Sequence, residues 1–257
     1  MNQLGINLLV FKDELVKGIK QQQILEQIEA LDVYIAEIRR ECLKNLAEEI
    51  LIINKLAKEF GIELYYSVPE KVACEKKLNP DINVYFEEAK LMGATHIKFN
   101  IGDLADLSLD EIKKLRDIIN KFEVKVTIEN DQTPENGNLK CVINAIDIIN
   151  KNSLPIGYTF DLGNWYWQNE DPENAFDILR SAITVFHLKN VEFLNNNPTT
   201  TLLSKGQINW KAMLKKLSNN VPLIIEYPIR NEDIRGELEE VRKVLLYIGN
   251  GKGEKNE

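Results

Sequence analysis

Short apolar segments alternate with longer amphipathic ones along the chain, and this alternation repeats eight times. The short segments have the length and composition of β-strands, and the longer ones place apolar residues at helical spacing. The predicted strands are Leu4–Val10, Val33–Arg39, Ile62–Val68, Thr95–Ile101, Val124–Glu129, Ile156–Asp161, Thr184–Lys189 and Leu223–Tyr227. Eight strand–helix repeats in 257 residues predict an α/β fold, a (β/α)8 barrel in a single domain.

Helix signals support the same repeat. The segment that opens on Ser108 has a glutamate, Glu111, three residues later, which is a capping-box pattern. Gly61 and Gly93 directly follow two amphipathic segments, where glycines commonly end helices. These signals place helices between the predicted strands.

We expect the barrel to occupy residues 1–250 and the glycine-rich, charged residues 251–257 to form a flexible C-terminal tail. No linker rich in proline, glycine or serine divides the chain. An open doubly wound sheet is the competing architecture. It usually carries a glycine-rich phosphate-binding turn after an early strand, and the opening LGINLLVFKDE has none, so the barrel is favoured.

Four of the predicted strands end on side chains that can bind a metal: Glu129, Asp161, His187 and Glu226. Parallel strands in a barrel bring their C-terminal ends together, and that face carries the active sites of such folds. Because side chains alternate between faces along a strand, each of the four shares the inner face with the residue two positions earlier. The sequence therefore predicts that all four converge at the barrel mouth.

Convergence of three carboxylates favours a cation among them. Two like charges ~4 Å apart at an effective dielectric near 20 repel by about 4 kcal/mol, and a divalent ion turns that repulsion into attraction. Three carboxylates with one imidazole form an oxygen-rich ligand set that suits Mn²⁺ or Mg²⁺, with Co²⁺ or Zn²⁺ as alternatives. A single acid after a strand is more commonly a helix cap or a solvated residue. By the same reasoning His96, at the start of its strand, is interpreted as structural.

The composition of the chain limits the classes of partner that it can be expected to bind. A net charge of −8, with lysines and arginines spread along helix-like segments, disfavours a nucleic-acid partner. Three widely spaced cysteines without a CxxC pair suit a reducing cytoplasm. The N-terminal segment lacks the apolar length of a membrane span, so no membrane partner is expected. These features leave a small-molecule ligand as the expected partner and do not address the oligomeric state.

The chain resembles the superfamily of xylose isomerase-like TIM barrels over essentially its whole length. The resemblance rests on TIEN at Glu129, FDLGN at Asp161, FHLKN at His187, IIEYP at Glu226 and KGQINW after the histidine strand. It implies that these four residues hold one divalent metal. It also implies a sugar isomerase or epimerase acting on a keto-sugar or related polyol, in which Glu129 and Glu226 move a proton next to a carbonyl through an enediolate.

Two other functions on this scaffold remain open: a metal-dependent dehydratase of the inosose type, and a non-catalytic sugar-binding barrel. A DNA-repair endonuclease of the superfamily is disfavoured, because such enzymes need several histidines for a multi-metal cluster and this acidic chain has two histidines. Asn164 and Asn190 depart from the histidine and aspartate usual at these positions in relatives, which leaves the substrate undefined.

Further residues are candidates for binding the substrate, and each also has a structural interpretation. Lys189 shares the face of His187, Glu37 and Arg39 share a face of the second strand, and Trp165 follows the metal aspartate. The candidate substrate-binding residues are Lys189, Asn164, Glu37, Arg39 and Trp165. The polar stretch Asn195–Thr201 is interpreted as either a lid over the site or an ordinary surface loop.

Overall fold

The computed structural model describes residues 3–253, with side chains described for residues 3–249. Eleven strands lie in this part of the chain: β1 Leu4–Asn7, β2 Ile35–Arg39, β3 Glu63–Cys74, β4 Lys77–Leu78, β5 His96–Gly102, β6 Lys125–Glu129, β7 Ile156–Asp161, β8 Ile183–Leu188, β9 Asn190–Leu194, β10 Asn197–Thr201 and β11 Leu223–Ile225. Each of the eight predicted strands corresponds to one of them.

Eight of the strands form a closed parallel barrel. Neighbouring strands follow the order β2-β1-β11-β8-β7-β6-β5-β3, and β2 pairs with β3 to close the ring. Every pairing within this ring is parallel. The (β/α)8 barrel predicted from the alternation is therefore confirmed.

Helices separate most of the barrel strands along the chain. They are α1 Lys12–Val16, α2 Gln21–Glu29, α3 Leu46–Phe60, α4 Ile82–Met92, α5 Leu109–Phe122, α6 Pro134–Gly137, α7 Leu139–Lys151, α8 Pro172–Leu179, α9 Trp210–Lys216 and α10 Asn231–Gly253. The Ser108 side chain accepts a hydrogen bond from the Glu111 backbone N–H at the start of α5. Gly61 and Gly93 end α3 and α4 in the left-handed conformation, with φ of 66° and 76°.

Several predicted elements differ from the observed ones: β3 continues past Val68 to Cys74 and β11 ends at Ile225, and the first strand and the polar stretch Asn195–Thr201 differ more. The first strand ends at Asn7 rather than Val10, because the Asn7 side chain accepts a hydrogen bond from Leu9 N and starts a 3-10 turn. The polar stretch Asn195–Thr201 is not an irregular loop. Most of it is β10, the second arm of an antiparallel hairpin with β9, and both turn residues, Asn195 and Asn196, have positive φ.

The barrel interior changes from apolar to polar toward its C-terminal face. Ile35, Tyr65, Val185 and Ile224 form a small buried cluster separate from the main core. Three of them lie two residues before Glu37, His187 and Glu226, on the same strand face. Thr127 and Thr159 share a hydrogen bond in the same interior. Apolar packing thus supports polar side chains at the barrel mouth.

The last described helix overlaps the start of the predicted tail. Helix α10 continues through Gly253, so residues 251–253 are helical. Residues 254–257 lie outside the described part of the chain. For these residues the flexible tail stays a prediction. No helix within the described residues is long and apolar enough to span a membrane.

Candidate functional site

The four predicted metal ligands converge at the mouth of the barrel. Each of Glu129, Asp161, His187 and Glu226 offers one ligand atom, and these atoms all lie within 4.8 Å of one another. All four side chains are buried, with Asp161 and His187 fully inaccessible. Residues as far apart as 129 and 226 in sequence therefore form one compact cluster.

His187 lies at the centre of this cluster. Its Nδ1 is 2.8 Å from Glu129 Oε1 and 2.9 Å from Glu226 Oε2. A single N–H can donate along only one of these directions, and Glu129 Oε1 is a buried atom without a hydrogen-bond partner among the described residues. Two carboxylate oxygens and an imidazole nitrogen that face one point are the donor set that a divalent cation accepts.

The other oxygens of the two glutamates accept hydrogen bonds from side chains of the barrel wall, and Lys98 contacts both. Lys98 Nζ donates to Glu129 Oε2 at 2.7 Å. Glu226 Oε1 accepts from Asn7 Nδ2 at 3.0 Å and from Arg39 at 3.1 Å. Each glutamate is thereby oriented with one oxygen toward His187 and the other toward a donor in the barrel wall.

Asp161 is fixed by its own loop and by a lysine. Its Oδ1 accepts from the backbone N–H groups of Gly163 and Asn164, at 2.9 and 3.0 Å. Lys189 Nζ donates to Oδ2 at 2.6 Å. The glycine in the FDLGN segment permits this approach, because a Cβ at Gly163 would lie 2.9 Å from the Lys189 side chain.

Burial and the surrounding charges shift the pKa values of two residues of the cluster, Asp161 and His187. Burial raises the pKa of Asp161 to about 6, with Glu226 and Glu129 adding to the effect and Lys189 opposing it. Burial disfavours a charged imidazole, yet Glu37 and Glu226 hold the pKa of His187 well above its ordinary value. A histidine binds a metal only when its imidazole is neutral. A metal ion and a proton would therefore compete for His187.

The charge balance at the cluster matches one divalent ion. With His187 neutral, the cluster and the Arg39–Glu41 pair beside it contain five carboxylates against three cations, for a net charge of −2: Glu37, Glu41, Glu129, Asp161 and Glu226 against Arg39, Lys98 and Lys189. A single divalent cation neutralises that charge. The residues therefore fit a bound divalent metal ion in both ligand chemistry and charge.

A cavity of about 350 Å³ opens over the cluster, within the size range of small-molecule sites. Polar and charged side chains line it, among them Arg39, Ser67, Asn100, Gln132, Thr133 and Asn164. Where the cavity meets the cluster, it is lined by Lys98, Lys189, Glu129 and Glu226. Three of the predicted substrate contacts, Arg39, Asn164 and Lys189, thus border the space in which a ligand can lie.

Two predicted substrate contacts lie elsewhere. Trp165 is fully buried in the hydrophobic core, where its ring packs 5.5 Å from that of Phe160, and it does not line the cavity. Glu37 is buried beside His187, with its Oε2 3.3 Å from Nε2. Arg39 forms its ion pairs with Glu226 and Glu41 rather than with Glu37 on its own strand.

Two residues that contact the cluster directly, Lys98 and Asn7, are not among the predicted site residues. The strand HIKFNIG alternates polar and apolar residues, and that parity puts Lys98 and Asn100 on one face. A lysine within a buried strand is uncommon unless it is paired. This alternation is the feature of the sequence that could have identified Lys98 as a residue of the barrel interior.

The two departures from the relatives have different structural roles. Asn164 lies at the site, where its Oδ1 accepts from Lys189 and Gln132. Asn190 lies outside the cavity lining, and its side chain bonds the backbone of Leu203, Ile208 and Val191. Only Asn164 is placed to affect a ligand directly.

A larger cavity, of about 530 Å³, opens at the opposite end of the barrel beside His96. His96 begins β5 and stacks on Tyr65 with ring centroids 3.9 Å apart. Burial lowers the pKa of His96 to about 4. The convergent ligand atoms lie at the other end, so we assign the site to the smaller cavity.

Comparison with known proteins gives a family and a fold. A model of the family described as xylose isomerase-like TIM barrel matches residues 81–246, more than half of the chain. No curated protein sequence matches the chain significantly.

Three solved structures illustrate the shared fold. A D-tagatose 3-epimerase-like protein is 16% identical with a TM-score of 0.72, covering 97% of this chain and 99% of that one. The probable 3-DHS dehydratase AsbF from Bacillus anthracis is 18% identical with a TM-score of 0.66, covering 94% and 99%. A xylose isomerase-like TIM barrel protein from Mycobacterium smegmatis in complex with magnesium is 14% identical with a TM-score of 0.68, covering 96% and 98%. At these identities the similarity establishes the fold.

Proposed function

Because the chain belongs to the xylose isomerase-like TIM barrel family, we propose that it is a divalent-metal-dependent sugar isomerase or epimerase. The substrate is a keto-sugar or related polyol. Epimerase-like and dehydratase proteins with the same fold are consistent with a sugar-processing enzyme. Mn²⁺ or Mg²⁺ is the proposed cofactor, since the ligand set is rich in carboxylate oxygen and a similar barrel binds magnesium.

One observation carries the proposal: four potential ligand atoms lie within 4.8 Å of one another beneath a polar cavity. In a metal-free state, three buried carboxylates at that spacing are compensated only by neighbouring cations and by protons. Glu129, Asp161, His187 and Glu226 would hold the ion. When bound, it supplies Lewis-acid stabilisation of negative charge on the substrate's carbonyl oxygen.

The two glutamates are positioned to move the proton. Glu129 ends β6 and Glu226 follows β11, and β7 and β8 separate these strands in the barrel. Their carboxylates can therefore face a substrate from two sides. One removes the proton next to the carbonyl, the substrate becomes an enediolate, and the other returns a proton. Lys189 and Asn164 would bind substrate hydroxyl groups at the cavity wall.

Unequal hydrogen bonding of the two glutamates favours a dehydratase as the second candidate. Glu226 Oε1 has three donors, Asn7, Arg39 and Lys98, within 3.4 Å, whereas Glu129 Oε2 has Lys98 alone. A carboxylate with fewer donors is the better proton acceptor. Elimination of a β-hydroxyl needs one such base, while epimerisation needs two groups. A sugar-binding barrel without activity is the third possibility.

Solvent exchange tests the proposed chemistry. We expect the Mn²⁺-loaded protein to incorporate deuterium next to the carbonyl of at least one member of a panel of ketoses in D₂O. Glu129→Gln is expected to slow this exchange by about 10²- to 10⁴-fold, because it removes a general base. Mass spectrometry of the products separates isomerisation from dehydration, since only the latter loses water.

A control variant distinguishes a specific effect from general damage. Glu63→Gln, at the opposite end of the barrel, should leave exchange unchanged. Metal bound without exchange or dehydration on any sugar in the panel would contradict the enzyme proposal and favour a binding protein. Full activity in both Glu129→Gln and Glu226→Gln would refute the two-carboxylate mechanism.

A further inference from the structure

Lys98 lies in the barrel interior among three carboxylates. Its Nζ is 2.7 Å from Glu129 Oε2, 3.4 Å from Glu226 Oε1 and 3.9 Å from Glu37 Oε2. The side chain is 6% exposed, so solvent contributes little to neutralising these acids. A buried point encircled by carboxylate oxygens is an environment in which proteins commonly hold a metal cation, and here an ammonium group occupies it.

We propose that the Lys98 ammonium group serves as the second cation of the site, and that it restricts the centre to a single metal ion. This inference rests on the proposed metal site and adds to it what determines its stoichiometry.

Shared carboxylates link the two cationic positions. Glu129 directs Oε1 toward His187 and Oε2 toward Lys98, and Glu226 divides its two oxygens in the same way. Carboxylates that face two cations at once resemble the arrangement of two-metal centres, whose ions lie about 3.5–4 Å apart. In this chain the position on the Lys98 side is already filled by the protein's own positive charge.

The charge balance leads to the same conclusion. With Lys98 present, the charged groups at the cluster, including the Arg39–Glu41 pair, sum to −2, which one divalent ion neutralises. Without that ammonium group the sum becomes −3, and the space left by the side chain borders the oxygens of Glu37, Glu129 and Glu226. One divalent ion would then leave an uncompensated negative charge, which favours a further cation in that space.

The consequence for function is a choice of chemistry. Two-metal centres stabilise the attacking and leaving oxygens of displacements at phosphorus, whereas one Lewis-acidic ion suffices for a carbonyl group. Lys98 also lines the cavity. Its position therefore favours carbonyl chemistry and disfavours phosphodiester cleavage on this barrel.

Metal stoichiometry tests the inference directly. After equilibrium dialysis against Mn²⁺, elemental analysis should find one ion per chain in the wild-type protein and two in Lys98→Ala. Lys98→Met is the matched control: it removes the charge but fills the space, and it should bind one ion. Electron paramagnetic resonance should show isolated Mn²⁺ in the wild-type protein and a spin-coupled pair in Lys98→Ala.

The outcomes separate this inference from the proposed function. One ion in both the wild-type protein and Lys98→Ala would overturn the role of Lys98 and leave the proposed function standing. A wild-type protein that binds no metal would refute the proposed function itself. Where Lys98→Ala does not fold, Lys98→Ser, which is also small, is measured in its place with the same expected stoichiometry.

Discussion

At the scale of single residues, Glu37 shows how a side chain outside the cavity can shape the site. Its Oε2 lies 3.3 Å from His187 Nε2, while Nδ1 of the same ring faces Glu129 and Glu226. A carboxylate on the Nε2 side favours the tautomer with the proton on Nε2, which leaves the Nδ1 lone pair for a metal. We therefore expect Glu37 to orient His187, and its assignment as a substrate contact stays a prediction.

This role makes a prediction about metal affinity. Glu37→Gln is expected to weaken Mn²⁺ binding by about 10- to 100-fold, because the amide supports the required tautomer less well. Isothermal titration calorimetry measures the change. Glu49→Gln, at a buried glutamate on α3, is the control and should bind Mn²⁺ like the wild-type protein. Equal affinities for wild type and Glu37→Gln would contradict the role.

At the scale of elements, Asn190 joins the β9–β10 hairpin to the segment that follows it. Its Nδ2 donates to the carbonyls of Leu203 and Ile208, at 2.9 and 3.2 Å. Its Oδ1 accepts from the backbone N–H groups of Val191 and Ile208, at 2.8 and 3.0 Å. An aspartate, usual here in relatives, could not donate to the two carbonyls. The departure at residue 190 is thus explained by backbone hydrogen bonding.

Asn190→Asp should destabilise the protein. The carboxylate would face two buried carbonyl oxygens that lose their donor, and each unsatisfied buried group costs about 1–3 kcal/mol. We expect the free energy of unfolding to fall by about 3 kcal/mol, measured by chemical denaturation. Asn197→Asp, on the exposed start of β10, should change it little. An unchanged stability of Asn190→Asp would show that the segment has other sufficient contacts.

At the scale of the whole molecule, barrel closure is what assembles the site. Asn7 and Glu226, 219 residues apart, share a hydrogen bond because β1 and β11 are neighbours in the ring. The same closure buries His96 at the opposite end, against Tyr65. The burial of His96 therefore affects the free energy of unfolding of the whole folded chain.

His96 predicts a pH dependence of global stability. Burial lowers its pKa in the folded protein to about 4 from an ordinary value of 6.5. Between these values the unfolded chain binds a proton that the folded protein does not, so stability falls as pH decreases, by about 1.4 kcal/mol per pH unit. Denaturation across this range should show a shallower decline for His96→Gln than for the wild-type protein. Parallel curves would contradict the prediction.

The pattern of residues by itself determined the barrel and four members of its site. Strand length, helical spacing and side-chain parity are local properties of the sequence. The sequence therefore predicts the eight repeats and the inward positions of Glu129, Asp161, His187 and Glu226. The exact strand ends are harder to predict. The apolar run LGINLLV favours a longer first strand, but the hydrogen bond from Leu9 N to the Asn7 side chain ends β1 at Asn7.

Only the tertiary structure decided which side chains surround those four. Glu37 and Arg39 share a strand face, yet one lies behind His187 and the other borders the cavity. Trp165 follows the site aspartate but packs in the core. Lys98 acquires its importance from three carboxylates on other strands. Contacts across a barrel depend on strand order, tilt and side-chain length, and none of these is a local property of the sequence.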